Sequence, residues 1–199
     1  MGPMVVGILR TASDEGLLSL GVKDSKKLSP KRRETIYDEL ISSFDCHIVE
    51  VSASEIDELR KFKTLNDIEL DMFCEAFDEL PGEVAYVDCP SVNEEEFASS
   101  MSKRCTGRIV AEHGADDRYP VVSAASIIAK VTRDRRMSEI SEKFGENVGS
   151  GYPSDKVTMD FIEKWIKHNG RAPTDTRCSW EPVKRITSLA ANKKLDDYW

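Results

Sequence analysis

Residues 115–134 read ADDRYPVVSAASIIAKVTRD, and this stretch decides the fold of the chain. Pro120 can open a helix, because a first-turn position needs no backbone N–H and the ring already fixes a helical φ. The pattern predicts one long helix from Val121 to Phe144. The first half of that helix, VVSAASIIA, consists of small and apolar residues, so another backbone can pack closely against it.

Short apolar segments precede this helix along the chain. Val84–Asp88 and Arg108–Glu112 are apolar runs that end in a carboxylate, and such short runs are typical of buried strands. Met4–Leu9 suits a strand that is buried on both faces, whereas Cys46–Val51 alternates like a half-buried strand. Because helical segments separate these strands, the sequence predicts the α/β class. The other predicted helices begin at Ser29-Pro30, at a cap formed by Ser54 and at Leu65, and the last carries Phe161, Ile162, Trp165 and Ile166 on one face and ends at Gly170.

Composition limits the class of protein. The chain has 199 residues, of which 40% are hydrophobic, enough to bury one core, so we expect one domain or one domain with an appendage. No apolar run reaches the length of a membrane span, and the N-terminal Met1-Gly2-Pro3 shows no basic-then-apolar leader, so a soluble cytoplasmic protein is expected. We also expect a monomer. The five cysteines include no Cys-x-x-Cys pair, which favours free thiols over disulfides or a zinc site.

The charge distribution restricts where a nucleic acid could bind. The net charge is −8, which argues against a chain that binds any polyanion. Basic residues nevertheless concentrate in residues 23–33, KDSKKLSPKRR, and between Lys130 and Arg136. These runs predict a local cationic surface, and the alternative is that they are ordinary solvated helix surfaces.

Two aspartates are candidate metal ligands. Asp88 ends an apolar strand, and ligands of open α/β sheets bind at the carboxyl ends of strands. Asp116 precedes the long helix and could lie at the same edge. Two carboxylates that converge repel each other, and a divalent cation relieves that repulsion. The alternatives are a turn-forming role for Asp88 and a helix-capping role for Asp116 or Asp117.

The loop Gly149–Ser154, GSGYPS, is a candidate substrate contact. Tyr152 lies between a glycine and a proline, which suits an aromatic ring presented to a sugar or a base. The alternative is a packed loop anchor. Lys130 and Arg133, on the long helix, could offer cations to phosphates or could belong to a closely packed region.

Four segments together identify a family. They are Asp24–Ser29, Tyr86–Asp88, residues 115–134 and Gly149–Asp155, and their order and spacing resemble those of type 2 ribonuclease H. The chain is similar to the archaeal branch of ribonuclease HII from Gly2 to about Arg185. The resemblance implies a ribonuclease H-like mixed five-stranded sheet flanked by helices, with a helical C-terminal appendage. It divides the chain into a catalytic domain over residues 1–148, a substrate-binding appendage over 149–191 and a tail over 192–199.

The resemblance also implies an activity and a set of site residues. Members of the family cleave the RNA strand of RNA·DNA hybrids and cut at ribonucleotides embedded in duplex DNA. They use two Mg²⁺ or Mn²⁺ ions and leave 5′-phosphate and 3′-hydroxyl ends. Asp88 and Asp116 match two of the four catalytic, metal-binding carboxylates, and Tyr152 matches a tyrosine that stacks on the deoxyribose beyond the RNA-to-DNA junction. Residues that match a segment near the substrate backbone are Ser25, Lys26 and Lys27.

One departure from the family pattern affects the expected activity. Family members begin with a strand that runs into Asp-Glu-Ala-Gly-Arg-Gly, which supplies the other two carboxylates and recognises the ribose 2′-hydroxyl. That segment, the central strand of the sheet, is absent here, and Met1-Gly2-Pro3 matches the residues directly after it. We therefore expect the chain as given to be inactive or nearly so, with Met1 an internal methionine of the full product. The alternative is a non-catalytic remnant that binds nucleic acid or a sliding clamp.

The last residues form a separate motif. Leu195, Tyr198 and Trp199 would lie on one side of a helical turn. The pattern resembles the sliding-clamp-binding peptide of replication and repair enzymes, with Asn192 in place of the usual glutamine. The alternative is a tail that folds back on its own domain.

Overall fold

The computed structural model describes residues 1–22 and 28–196, with side chains described as far as Ala190. The chain divides into two compact units. The sheet unit comprises Val5–Glu50 and Thr64–Thr132. The helical unit comprises Met1–Met4, Val51–Lys63 and Arg133–Trp199. The functional division at residues 148 and 191 stays a prediction.

Four strands are described, and all four were predicted. They are β1 (Met4–Arg10), β2 (Asp45–Val51), β3 (Val84–Asp88) and β4 (Arg108–Glu112). They form two separate two-stranded sheets, β1 with β2 and β3 with β4, where the resemblance implies one five-stranded sheet. Strands β3 and β4 are parallel, and Asp88 is level with Glu112.

Helices make up most of the described chain outside the four strands, and this combination confirms the α/β class. They are α1 (Glu15–Leu20), α2 (Pro30–Ser43), α3 (Ala53–Leu59), α4 (Leu65–Glu79), α5 (Glu94–Ser102), α6 (Ala115–Arg118), α7 (Pro120–Phe144), α8 (Lys156–Asn169) and α9 (Glu181–Asp196). The predicted long helix is α7. Within the described parts of the chain, no helix combines the length and apolar character needed to cross a bilayer.

The predicted cap of α3 was wrong by two residues. The Ser52 side chain, not that of Ser54, accepts a hydrogen bond from the backbone N–H of Glu55. The Glu55 carboxylate accepts in turn from the backbone N–H of Ser52. The reciprocal capping box pairs Ser52 with Glu55 three residues later, whereas Asp57, three residues after Ser54, accepts hydrogen bonds from the backbone N–H groups of Cys178 and Ser179.

The small residues of α7 allow β1 to lie directly against it. A Cβ atom added to Gly7 would lie 2.8 Å from the carbonyl oxygen of Ala125 and 3.1 Å from the nitrogen of Ala129. Because no side chain fits in that space, strand and helix depend on glycine and alanine at their contact. Around this contact, a core cluster contains Leu9, Leu17, Val22, Ile36, Leu40, Ala124, Ile127, Ile128 and Val131.

The other sheet packs on α4 and α5. Val87 of β3 is buried in a second cluster with Phe77 of α4 and Phe97 of α5. The alternation along β3 buries Ala85 and Val87 and leaves Asp88 at the exposed end of the strand. The packing therefore fixes the direction of the strand and the position of its terminal carboxylate.

The helical unit has a core of its own. The predicted apolar face of α8 is confirmed, since Phe161, Ile162 and Ile166 are buried together with Met1 and Met137. The helix ends at Gly170, as predicted. The five cysteines are free, as the sequence indicated.

Candidate active site

Asp88 is held by backbone groups at the end of β3. Its Oδ1 atom accepts hydrogen bonds from the backbone N–H of Gly114 at 2.9 Å and from that of Ala115 at 3.3 Å. These donors lie at the start of α6, directly after β4. The exposed carboxylate is thereby fixed over the edge where β3 and β4 end.

Asp116 is brought to the same edge. It follows Ala115, whose N–H contacts Asp88, and it lies in the first turn of α6. The side chain is buried, with 5% of its surface exposed. The N-cap of α6 is Gly114 and no side chain caps that helix, so neither Asp116 nor Asp117 has the capping role there that the sequence left open. The structure therefore places Asp116 directly after the residue whose N–H contacts Asp88, at the same edge of the sheet.

Nearby acids are engaged in other contacts. Glu112 is level with Asp88 on β4, but its carboxylate accepts from Arg118 at 2.6 Å and from the Tyr119 hydroxyl at 3.2 Å. The Glu94 carboxylate accepts from the backbone N–H of His113. Both acids are therefore used in contacts that support the β4–α6 connection.

The described residues do not make a complete two-cation site. Among residues 1–22 and 28–190, no group of three or more histidine, cysteine, aspartate or glutamate side chains could hold a metal ion. Two carboxylates can bind one Mg²⁺ together with water or phosphate oxygens. A pair of cations that share a scissile phosphate needs more ligands than Asp88 and Asp116 provide. These two aspartates therefore fit part of the site that the resemblance implies.

The Asp155 carboxylate links the loop that carries Tyr152 to the start of α8. The Asp155 carboxylate accepts from the Ser150 N–H at 2.6 Å, from the Ser150 hydroxyl at 2.7 Å and from the Val157 N–H at 2.9 Å. Hydrogen bonds from the backbone and side chain of Ser150 are the main cause that lowers the pKa of Asp155 to about 2. An ionised carboxylate thus connects Ser150, before Tyr152, with Val157, after it.

Gly151 is required at its position in this loop. It has a φ of 80°, and an added Cβ would lie 2.7 Å from the carbonyl oxygen of Met1 and 2.9 Å from a guanidinium nitrogen of Arg133. The α-amino group of Met1 donates to the Gly151 carbonyl at 2.6 Å. Burial, followed by the charges of Arg177 and Arg133, lowers the pKa of that amino group to about 4.

Arg133 is closely packed, which is one of the two roles that the sequence left open for it, and its partner is Tyr152. Its guanidinium carbon lies 3.9 Å from the centre of the Tyr152 ring, and it donates to the Ser150 carbonyl at 2.9 Å. Arg133 is only 9% exposed, whereas Tyr152 is 46% exposed. Arg133 therefore covers one face of the ring from within the helical unit and does not present itself as a surface cation. No local signal could show this, because the two residues are 19 positions apart in the sequence.

The cationic surface is described only in part. Lys130 is exposed on α7. Within the basic run, Arg32 donates to the backbone carbonyl of Leu20, and Arg33 donates to that of Leu28. Both side chains therefore contact the part of the chain that precedes α2. The predicted residues that lie outside the described part of the structure are Ser25, Lys26, Lys27, Tyr198 and Trp199, and for Leu195 only the helical backbone is described.

Comparison with known proteins identifies a family. The family model described as Ribonuclease HII matches residues 1–183. A ribonuclease HII from Methanospirillum hungatei is 44% identical over 202 residues, which cover 100% of this chain and 94% of that protein. A ribonuclease HII from Archaeoglobus fulgidus is 40% identical over 198 residues, which cover 100% of this chain and 94% of that protein.

Solved structures give the same result. The A. fulgidus enzyme, solved as a PCNA:RNase HII complex, has a TM-score of 0.87 at 41% identity and covers 94% of this chain and 90% of that one. Ribonuclease H2 from Pyrococcus horikoshii has a TM-score of 0.87 at 38% identity, with 96% and 92% covered. Bst-RNase HIII in complex with Mn²⁺ shares the fold, with a TM-score of 0.78 at 17% identity, over 96% of this chain and 66% of that one.

Proposed function

The chain belongs to the ribonuclease HII family, and on that premise we propose that it carries most of an endoribonuclease that cuts the RNA strand of RNA·DNA hybrids and at single ribonucleotides in duplex DNA. One observation carries the proposal. The hydrogen bond from Ala115 to Asp88 joins the terminal carboxylate of β3 to the residue directly before Asp116. Two carboxylates at the carboxyl edge of a sheet are suited to divalent cations at a phosphodiester.

The metal requirement follows from the family. We propose Mg²⁺ or Mn²⁺ as the cations, and the Mn²⁺ complex of Bst-RNase HIII supports this choice for the fold. Asp88 and Asp116 would supply two of the four carboxylates, and hydrolysis of this kind leaves 5′-phosphate and 3′-hydroxyl ends. Because the described residues offer no third ligand, we expect the 199-residue chain by itself to show little or no turnover.

Substrate binding is assigned to the helical unit and to α7. The exposed face of Tyr152 would stack on a deoxyribose, with Arg133 fixed behind the ring. Lys130 would contact a phosphate, as would the residues that the resemblance places near the substrate backbone, Ser25, Lys26 and Lys27. Binding through phosphates depends strongly on salt, so affinity should fall steeply as salt rises.

A sliding clamp is the proposed protein partner. The A. fulgidus relative was solved in complex with PCNA, which supports a clamp as partner for this family member. Helix α9 leads into the tail, and the residues proposed to bind the clamp are Leu195, Tyr198 and Trp199.

Cleavage assays test the enzymatic proposal. The substrates are a labelled RNA·DNA hybrid and a DNA duplex with one ribonucleotide, each with Mg²⁺ or Mn²⁺. A chain that carries the family strand with Asp-Glu-Ala-Gly-Arg-Gly ahead of Met1 should cleave both. Absence of cleavage by that folded chain would refute the nuclease proposal, and robust turnover by the 199-residue chain would refute the incomplete site.

A second candidate function is a non-catalytic protein that binds nucleic acid or a clamp. The observation in its favour is that the described carboxylates fall short of a two-cation site. The same assays separate the two candidates, because such a protein would bind the hybrid without cleaving it even when the strand is supplied.

A further inference from the structure

An aromatic side chain is exposed to solvent just after α3. Phe62 lies in the turn Arg60–Lys63 of the helical unit, and 87% of its surface is exposed. Tyr152, the proposed substrate contact, is 46% exposed. Covering the Phe62 ring with a partner removes apolar surface from water, which is favourable.

The turn that carries Phe62 is held by hydrogen bonds. The backbone N–H groups of Phe62 and Lys63 both donate to the Leu59 carbonyl, at 3.0 and 2.9 Å. The Arg60 guanidinium donates to the Lys63 carbonyl at 3.1 Å and connects the two ends of the turn. Ile56 of α3 is buried and anchors the helix that precedes the turn. Because the backbone is already fixed, a ligand that covers the ring loses little affinity to ordering of the turn.

Positive charge surrounds the ring. Three cations flank Phe62, namely Arg60, Lys61 and Lys63, and residues 59–64 contain no acid. Lys61 pairs with Glu58 at 2.5 Å, but more than half of each side chain is exposed. Exposed pairs of this kind contribute little free energy. A polyanion can therefore displace Glu58 from Lys61 at small cost.

The other two acids of α3 are engaged by backbone N–H groups. Glu55 accepts from the N–H of Ser52 at 2.9 Å. Asp57 accepts from the N–H of Cys178 at 2.7 Å and from that of Ser179 at 2.9 Å. These donors offset part of the negative charge of α3, so the three cations dominate the charge beside Phe62.

An exposed ring among cations selects the chemistry of the partner. Lysine is depleted in protein–protein interfaces, so the basic surroundings of Phe62 argue against a protein that covers the ring. A nucleic acid strand offers phosphates to the cations and the flat face of a base to the ring. The bases of a duplex already stack on one another, whereas an unpaired base can stack on an aromatic side chain. The favoured partner is therefore a single strand.

We propose that the turn Arg60–Lys63 is a binding site for single-stranded nucleic acid. An unpaired base stacks on Phe62, and the phosphates on either side of that base contact Arg60 and Lys63. The site goes beyond the proposed function, because it takes an unpaired strand and uses none of the residues assigned to cleavage.

The test measures equilibrium binding of the 199-residue chain to a labelled oligothymidylate of about twelve nucleotides, a length that one single-strand site can cover. Fluorescence anisotropy at low salt should show saturable binding. Phe62→Ala should weaken that binding roughly fivefold or more, which is the lower limit for loss of one stacked base. Phe62→Tyr keeps the ring and should bind like the unaltered chain. Because Phe62 is so exposed, both variants should keep the unfolding midpoint of the unaltered chain.

Val92 provides a matched control for an exposed apolar side chain. It is 97% exposed, but it lies shortly before three acids, Glu94–Glu96, and has no neighbouring cation in the sequence. Val92→Ala should leave the affinity for the oligonucleotide unchanged. Lys63→Ala tests the phosphate contact, and it should make the slope of log K against log salt concentration less negative by about 0.7.

Photocross-linking locates the bound strand. An oligothymidylate with one 5-iodouracil forms a covalent adduct with a stacked aromatic side chain on irradiation. Peptide mass spectrometry should find that adduct at Phe62, whether or not Tyr152 is labelled as well. The adduct at Phe62 should disappear when unlabelled oligothymidylate is added in excess.

The outcomes separate this site from the nuclease proposal. The site is overturned by lack of oligonucleotide binding, by equal affinities of Phe62→Ala and the unaltered chain, or by adducts at Tyr152 alone. Equal losses for a blunt-ended hybrid and for the oligonucleotide also overturn it, because a blunt-ended hybrid has no unpaired base. If Phe62→Ala weakens binding of the oligonucleotide alone and the chain completed with the family strand cleaves no hybrid, the site stands and the proposed function fails.

Discussion

The backbone N–H of Ala115 donates to the Oδ1 atom of Asp88 at 3.3 Å, across 27 positions of sequence. This hydrogen bond places Asp88, at the end of β3, beside the residue that precedes the buried Asp116. The N–H of Gly114 donates to the same oxygen, so the carboxylate is fixed before any ligand arrives. A site arranged in advance loses less freedom when it binds a substrate.

Loss of either aspartate should remove cleavage in a strand-completed chain. We expect Asp88→Asn and Asp116→Asn each to lower kcat at least ~100-fold, because a lost metal carboxylate removes several kcal/mol of transition-state stabilisation. Single-turnover cleavage of a labelled hybrid measures the effect. The neighbouring exposed Asp117→Asn should retain activity, and near-normal rates in both site variants would contradict the assignment.

Tyr152 should contribute to hybrid binding and not to the chemical step. Stacking on one aromatic ring is worth ~1–3 kcal/mol, so Tyr152→Ala should weaken binding by roughly 5- to 160-fold. The measurement is equilibrium binding of a labelled hybrid to the 199-residue chain, which needs no turnover. Tyr152→Phe keeps the ring and should bind normally. An equal loss in both variants would show that the hydroxyl matters and not the ring.

Lys130 should contribute to the salt dependence of binding. Each phosphate contact contributes about −0.9 to the slope of log K against log salt concentration, so Lys130→Ala should make that slope less negative by about 0.9. Lys164→Ala provides a matched control, because Lys164 is exposed and paired with Glu146. The proposed phosphate contact would be wrong if the two variants changed the slope equally.

Asp155 should make the stability of the protein depend on acid pH. Its pKa is lowered to about 2 in the folded chain, so the ionised carboxylate stabilises the fold above its ordinary pKa near 4. That contribution is lost as the pH falls from about 4 towards 2. The urea midpoint of Asp155→Asn should lie below that of the unaltered chain at pH 6, and the two should converge near pH 2. Asp160→Asn, at an exposed position, should show no such difference, and a constant gap at all pH values would exclude this linkage.

The tail should be required for clamp binding but not for the fold. Deletion of residues 192–199 should abolish pull-down by the sliding clamp while leaving the unfolding midpoint unchanged. The matched variant is Leu189→Ala, because Leu189 is exposed on α9 but lies before the tail motif. If pull-down survives the deletion, the clamp contacts another surface.

Several parts of the structure could be predicted from the sequence because their causes are local. The bounds of β3, β4 and α7 agree with the prediction, since apolar runs and proline mark the ends of these elements. The small residues of α7 indicated a close backbone contact, and Gly7 makes one. The short or polar helices α1, α5 and α6 were not predicted, whereas most of α9 lies in the appendage that the resemblance implied to be helical.

The sequence alone determined the α/β class, the limits of the main elements, and which carboxylates and which tyrosine are candidates for chemistry. These follow from patterns within about 20 residues, where chain connectivity already keeps the groups near one another. Only the tertiary structure decided that Asp88 contacts Ala115 and that Arg133 lies behind Tyr152. Those relationships join segments far apart in sequence, and the packing of strands and helices around a core sets the distances between them.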